Sequence, residues 1–168
     1  HQQLTKHQKP LLLLELIHNL SLQFKEDLII ENFAKDNFDT HYGIQLALEN
    51  FIQNPIRLKS KVVLTIESSK DGNTFRITDT AGGIEKEILE QLGAPLKNSR
   101  GLGLGIFLSV ENLNYLGYDC LVGTTLGSGT EVVISNENNF VTSVRHEEVV
   151  HLTKNKFQAY SAQSSVLT

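Results

Sequence analysis

The sequence predicts an α/β two-layer sandwich, with helices on one face of a mixed, mostly antiparallel sheet. Three observations carry this. Apolar residues recur at helical spacing in three segments: Leu11–Leu22, His41–Ile52 and Leu104–Leu116. Between them lie short β-branched runs joined by turn residues, most plainly Lys61–Ser68 and Asn73–Thr78 around Asp71-Gly72. A chain of 168 residues with 40% hydrophobic content can build one domain with a real core.

Taken in order, Thr5–Pro10 is a polar lead whose proline can start a helix, and Leu13, Leu16, Ile17 and Leu20 then mark an amphipathic helix. Phe24–Phe33, centred on Leu28-Ile29-Ile30, reads as a strand. Asp36–Thr40 is a turn in which Asp39 or Thr40 is expected to cap the next helix. That helix carries Ile44, Ala47, Leu48, Phe51 and Ile52 and is expected to end near Pro55, which lacks an amide hydrogen. Glu85–Gln91 reads as a short helix and Leu92–Arg100 as a loop. A further helix leads to a strand at Asp119–Val122, a glycine-rich turn at Gly123–Thr130 and a strand at Glu131–Ser135. Beyond Asn136 the sequence is polar and weakly patterned and reads as a tail or linker.

A net charge of −4 argues against a nucleic-acid footprint, which needs a basic stripe. The longest apolar run, Leu11–Leu14, is too short to cross a bilayer, and no signal peptide is visible. A single cysteine, Cys120, excludes an internal disulfide and suits a reducing compartment.

Four places bear on chemistry. Gly101-Leu102-Gly103-Leu104-Gly105 runs directly into a helix, where free backbone N–H groups and the positive dipole end can seat phosphate. Its G-x-G-x-G spacing, and the loop before it, fit neither the dinucleotide fingerprint nor the P-loop. Asn50 and Asn54, four apart on one helix, share a face; they serve either as caps for neighbouring loops or as ligands for a polyanion and its metal. Asp79, at a strand end before Thr80-Ala81-Gly82-Gly83-Ile84, is either an ordinary acidic turn or an acceptor for an exocyclic amine. Gly127-Ser128-Gly129-Thr130 forms a second glycine-rich turn able to face a ligand.

The order Asn50-x-x-x-Asn54, Asp79-x-Ala81-x-Gly83-Ile84, Gly101-x-Gly103-x-Gly105 and Gly127-x-Gly129-Thr130 resembles the N, G1, G2 and G3 boxes of the GHKL, or Bergerat-fold, ATPases. Within that superfamily the stretch from Pro10 to Ser135 looks like the catalytic ATP-binding domain of a bacterial sensor histidine kinase. Ile88–Leu96 leading into Gly101–Leu108 is similar to the short-lidded RegB/PrrB group. The resemblance implies ATP and Mg²⁺ as cofactors. It implies Asp79 on the adenine amino group, Asn54 on the metal with Asn50 beside it in a catalytic role, and Arg57 near a phosphate. It further implies Gly83, Ile84 and Thr130 about the adenine pocket. Lys97, Arg100, Gly101, Leu102, Gly103, Leu104 and Gly105 would lie around the triphosphate.

Hydrolytic relatives usually carry glutamate where this chain has Asn50, and Glu49 is turned about 100° away on the helix, so transfer to an external acceptor is expected over hydrolysis. Pro55 stands where the family usually has alanine, Ala81 stands where it has glycine, and the aromatic F-box is missing, with Leu96 in the lid. No His-Glu-x-x-Thr-Pro phosphoacceptor motif is present; His7-Gln8-Lys9-Pro10 matches it poorly. The expected organisation is therefore a linker at residues 1–9 from an upstream dimerisation and phosphoacceptor region, a catalytic domain at 10–136, and a tail at 137–168. The expected partners are ATP or ADP, the phosphoacceptor domain and a response regulator, in the cytoplasm, with no nucleic acid and no membrane contact. The alternatives are a degenerate nucleotide-binding switch and a serine kinase of the anti-sigma-factor type.

Overall fold

A computed structural model describes residues 8–91, 102–138, 144 and 146–153. Six strands form one sheet in the order β2-β4-β5-β7-β6-β8, comprising β2 (Leu28–Asn32), β4 (Val62–Ser69), β5 (Gly72–Asp79), β6 (Asp119–Thr125), β7 (Gly129–Ser135) and β8 (Glu148–His151). Only β2 and β4 run parallel; the other neighbours are antiparallel. A small separate ladder pairs β1 (Pro10–Leu12) with β3 (Asp39–His41). The helices are α1 (Leu13–Phe24), α2 (Tyr42–Arg57), α3 (Lys86–Gln91) and α4 (Leu102–Leu116). The two-layer, mostly antiparallel architecture is the one expected.

Alternation explains the sheet's two faces. Val62, Leu64 and Ile66 on β4 point to the core with Phe75 and Ile77 of β5, in register as Leu64↔Ile77 and Ile66↔Phe75. They meet Leu13, Leu16, Leu20 and Phe24 of α1 and Ile44, Ala47, Leu48, Phe51 and Ile52 of α2, both stripes at spacings of three and four. The opposite face is polar over β4 and β5. There Arg76 bridges Glu67 at 3.2 Å and Glu131 at 2.9 Å. Over β6 and β7 it holds a small apolar cluster of Leu121, Val133 and Val144.

Several boundaries depart from the expectations. Pro10–Leu12 is extended, and α1 begins at Leu13 because the segment just before β3 receives its first amides: Leu13 N–H donates to Phe38 O at 3.0 Å and Leu14 N–H to Asn37 Oδ1 at 2.9 Å. Past Phe24 a 3₁₀ turn, Lys25–Asp27, delays the strand to Leu28. Asp39 and Thr40 do not cap α2. They lie in β3, and His41 takes the N-cap position without a side-chain bond. Pro55 does not end α2, which runs on to Arg57. Proline removes only its own N–H, while its carbonyl still accepts from Leu58 N at 3.1 Å and Ser60 N at 3.0 Å. β6 extends through Gly123-Thr124-Thr125, so the turn shrinks to Leu126–Ser128. Glu148–His151, expected within a tail, is a strand paired to β6.

Candidate functional site

Between α2 and α4 and the ends of β5, β6 and β7 lies a pocket of about 530 Å³, part of it open to solvent. Phe51, Ile84, Ile106, Val122 and Val132 make its walls apolar, and Leu58, 71% exposed, stands at its edge. Its polar side chains are Asn54, Asp79 and Thr130. Among the described lining residues Asp79 is the one ionisable group. An apolar slot closed by a few convergent polar groups is the usual build of a small-molecule site.

Asp79 is the last residue of β5 and pairs with Thr130 of β7 and Val62 of β4. Its Oδ1 accepts the Ala81 N–H at 2.9 Å, which fixes the carboxylate at the strand end. Burial pushes its pKa up, opposed by backbone hydrogen bonds from Ala81 and Thr130. Gly129, at φ 147°, packs directly on this segment, and a Cβ there would overlap the Asp79 carbonyl oxygen. Gly83, at φ 85°, sits against β6: an added Cβ would stand 2.7 Å from Thr125 O and 2.9 Å from Thr124 Oγ1.

Thr124 is a site residue that sequence reasoning missed. Its hydroxyl accepts the Ile84 N–H at 2.7 Å, reaches Gly129 O at 3.3 Å and lies 3.3 Å from Thr130 Oγ1. One side chain thus ties the Gly82–Ile84 loop to the Gly127–Thr130 turn. A threonine inside a strand gives no signal of this without the pairing.

The two asparagines separate in role. Asn54 lines the pocket. Asn50 instead clamps α2 to α4: its Nδ2 donates to Ser109 Oγ at 2.8 Å and to Gly105 O at 3.3 Å. Gly105 permits this approach, since a Cβ there would come within 3.1 Å of Asn50 Oδ1. Ser109 had no sequence signal beyond its place on the helix. Glu49 accepts from Gln45 Nε2 at 3.1 Å, and Gln45 in turn accepts from Asn19 of α1, so Glu49 faces away from the pocket. Arg57 closes α2 and is exposed, and it is not among the described lining residues. Leu102, Gly103 and Leu104 lie in the first turn of α4, while Lys97, Arg100 and Gly101 fall outside the described residues.

The family model for histidine kinase-, DNA gyrase B- and HSP90-like ATPases matches residues 40–137, more than half of the chain. The chain belongs to this ATPase family. The matched span opens in β3, contains α2, the Asp79–Ile84 loop and α4, and closes just past β7. Among solved structures, the fold is similar to the nucleotide-free catalytic domain of histidine kinase ThkA. That match has a TM-score of 0.62 and 17% identity, covering 77% of this chain and 94% of that one. A second ThkA form gives a TM-score of 0.61. Acinetobacter baumannii histidine kinase AdeS matches with a TM-score of 0.59 and 19% identity, over 79% of this chain and 68% of that one. No curated protein matches. Among the described residues no helix is long and apolar enough to cross a membrane.

Proposed function

We propose that this ATPase-family domain binds Mg-ATP and transfers its γ-phosphoryl group to a histidine on a separate dimerisation and phosphoacceptor domain. The observation that carries the reading is the pairing of an apolar slot with one fixed carboxylate. Asp79 offers Oδ2 to an exocyclic amine while Ala81 N–H holds Oδ1, and Phe51, Ile84, Val122 and Val132 suit the faces of a purine.

The donor set fits magnesium held jointly with the nucleotide. Asn54 supplies one neutral oxygen, and no group of three or more His, Cys, Asp or Glu among the described residues could cage a metal. Mg²⁺ favours this arrangement, since it commonly takes one or two protein oxygens and completes its shell with phosphates and water. Bound there, it would neutralise phosphate charge. The chain's own residues bind the base, orient the phosphates toward the first turn of α4 and hold that helix through Asn50. With Asn50 committed to α4, Glu49 turned away and Asp79 given to the base, the described lining holds no further carboxylate to activate water, which supports transfer over hydrolysis. The acceptor histidine, the downstream response regulator, cytoplasmic placement and the residues 10–136 as the catalytic unit belong to this same proposal. So do phosphate contacts from Lys97, Arg100 and Arg57 and the RegB/PrrB-like lid.

Calorimetric titration with a non-hydrolysable ATP analogue, with and without Mg²⁺, tests the site. Magnesium-dependent binding that is lost in Asp79→Asn is expected. A folded wild-type chain that binds neither ATP nor ADP sinks the proposal. Radiolabel from γ-labelled ATP appearing as acid-labile phosphohistidine on an added acceptor domain tests the transfer.

A further inference from the structure

The matched family span ends at residue 137, yet residues 144 and 146–153 are built into the molecule on both faces of the sheet. On the face away from the helices, Val144 covers Leu121 and Val133. The His146 ring lies on Gly123, where an added Cβ would stand 2.9 Å from His146 Cδ2 and 2.9 Å from Val144 Cγ1. His146 Nδ1 lies 3.1 Å from Thr125 Oγ1, and Nε2 lies 3.2 Å from Glu131 Oε2. The chain then enters the sheet as β8, pairing Glu148 with Thr124 and Val150 with Val122. Leu152, 8% exposed, joins the helix-side core and donates its N–H to Cys120 O at 2.9 Å. Finally the Thr153 hydroxyl accepts from Cys120 N at 3.0 Å and donates to Asp119 Oδ1 at 3.2 Å.

These anchors converge on the pocket from behind. Val122 lines the pocket and Thr124 holds Ile84, and both are partnered by β8. α3 packs against β8, and its Leu89, 1% exposed, shares the core with Val150 and Leu152. We infer that Val144 and residues 146–153 form a clasp that positions the β6 and Ile84 walls of the pocket, so that nucleotide affinity depends on residues outside the family-matched span. The inference rests on the nucleotide reading of the pocket. Gly123 acquires a specific reason: its missing side chain is the seat of the His146 ring.

Gly123→Val in the full chain tests this, because valine suits a strand but drives its branches into His146 and Val144. Amide exchange and ADP titration are read together. The expected result is exchange about tenfold faster at β8, Leu89 and Ile84, with the β4–β5 amides unchanged. ADP affinity should weaken by about fivefold or more, in the range of ordinary coupling between sites. Freely exchanging β8 amides beside unchanged Ile84 and Leu89 protection and unchanged ADP affinity would overturn the inference. Should Gly123→Val lose protection everywhere, His146→Ala, which only removes atoms, carries the same expected and overturning results. A wild-type chain that binds no ADP defeats the nucleotide reading instead, and Ile84 exchange in the variants still decides whether the clasp positions that wall.

Discussion

Asn50 on α2 and Ser109 on α4 are joined by a 2.8 Å hydrogen bond, and the same amide reaches Gly105 O one helical turn away. This is the polar stitch between the two helices that wall the pocket. Asn50→Ala should lower stability by about 1–3 kcal/mol, because Ser109, 1% exposed, loses its partner. Ser109→Ala should cost about 1 kcal/mol, since Asn50 keeps Gly105 O. Asn50→Asp, with no donor to give Gly105 O, should cost more than Ser109→Ala. Urea denaturation of the three variants ranks them; equal midpoints would show that the stitch holds nothing.

Gly127 lies within the Leu126–Ser128 turn and Gly129 directly follows it, but the two face different surroundings. Gly129→Ala sets a methyl against the Asp79 backbone and should destabilise by about 3 kcal/mol or more, displacing the carboxylate. Gly127→Ala, at φ 83° with no atom within 4 Å of the added methyl, should cost only about 1–2 kcal/mol. Thermal melts separate the two, and a Gly129→Ala melt matching Gly127→Ala would refute the close-approach argument.

Asp79 carries a trade between stability and binding. Its folded pKa lies above the ordinary 3.8, so folding is favoured as pH falls through the folded value, and the gain is complete below 3.8. At neutral pH the ionised group therefore costs stability. Asp79→Asn should be at least as stable as wild type at pH 7, and the difference should shrink as the pH is lowered toward 4. Its nucleotide affinity should nonetheless fall by about tenfold or more, as expected when a charged hydrogen bond is lost. A variant that is less stable at pH 7 and binds normally would contradict both halves.

Pro55 leaves Phe51 O without its helical donor in the last turn of α2. Pro55→Ala restores that bond and should raise stability by about 1–2 kcal/mol, less than the ~3 of a mid-helix proline. A lower melting temperature would instead mean that the ring's packing in the pocket wall outweighs the bond.

Much of this arrangement was legible in the residues, for identifiable reasons. Asp71-Gly72 between two alternating runs gave the β4–β5 hairpin, and that hairpin sets Asp79 at a strand end. The period of Ile44, Ala47, Leu48, Phe51 and Ile52 gave α2 and put Asn54 on it. β1 and β3 were not legible, because three-residue strands that pair only with each other carry no period of their own. β8 was hidden similarly: Glu148-Val149-Val150-His151 is four residues in polar surroundings, and it is a strand because β6 offers an open edge. Asn50, Ser109 and Thr124 acquire their roles from partners 40 to 59 residues away, and no local pattern encodes such distances.

The one parallel pair in the sheet has a kinetic meaning. β2 and β4 cannot be joined by a tight turn, so the chain crosses from one to the other through β3 and α2, the helix that supplies Phe51, Asn54 and Pro55 to the pocket, with Leu58 just past its end. The crossover and the ligand wall are thus the same piece of polypeptide. The strand pairing that this crossover closes is non-local, and it carries a loop-closure cost that the local β4–β5 hairpin does not.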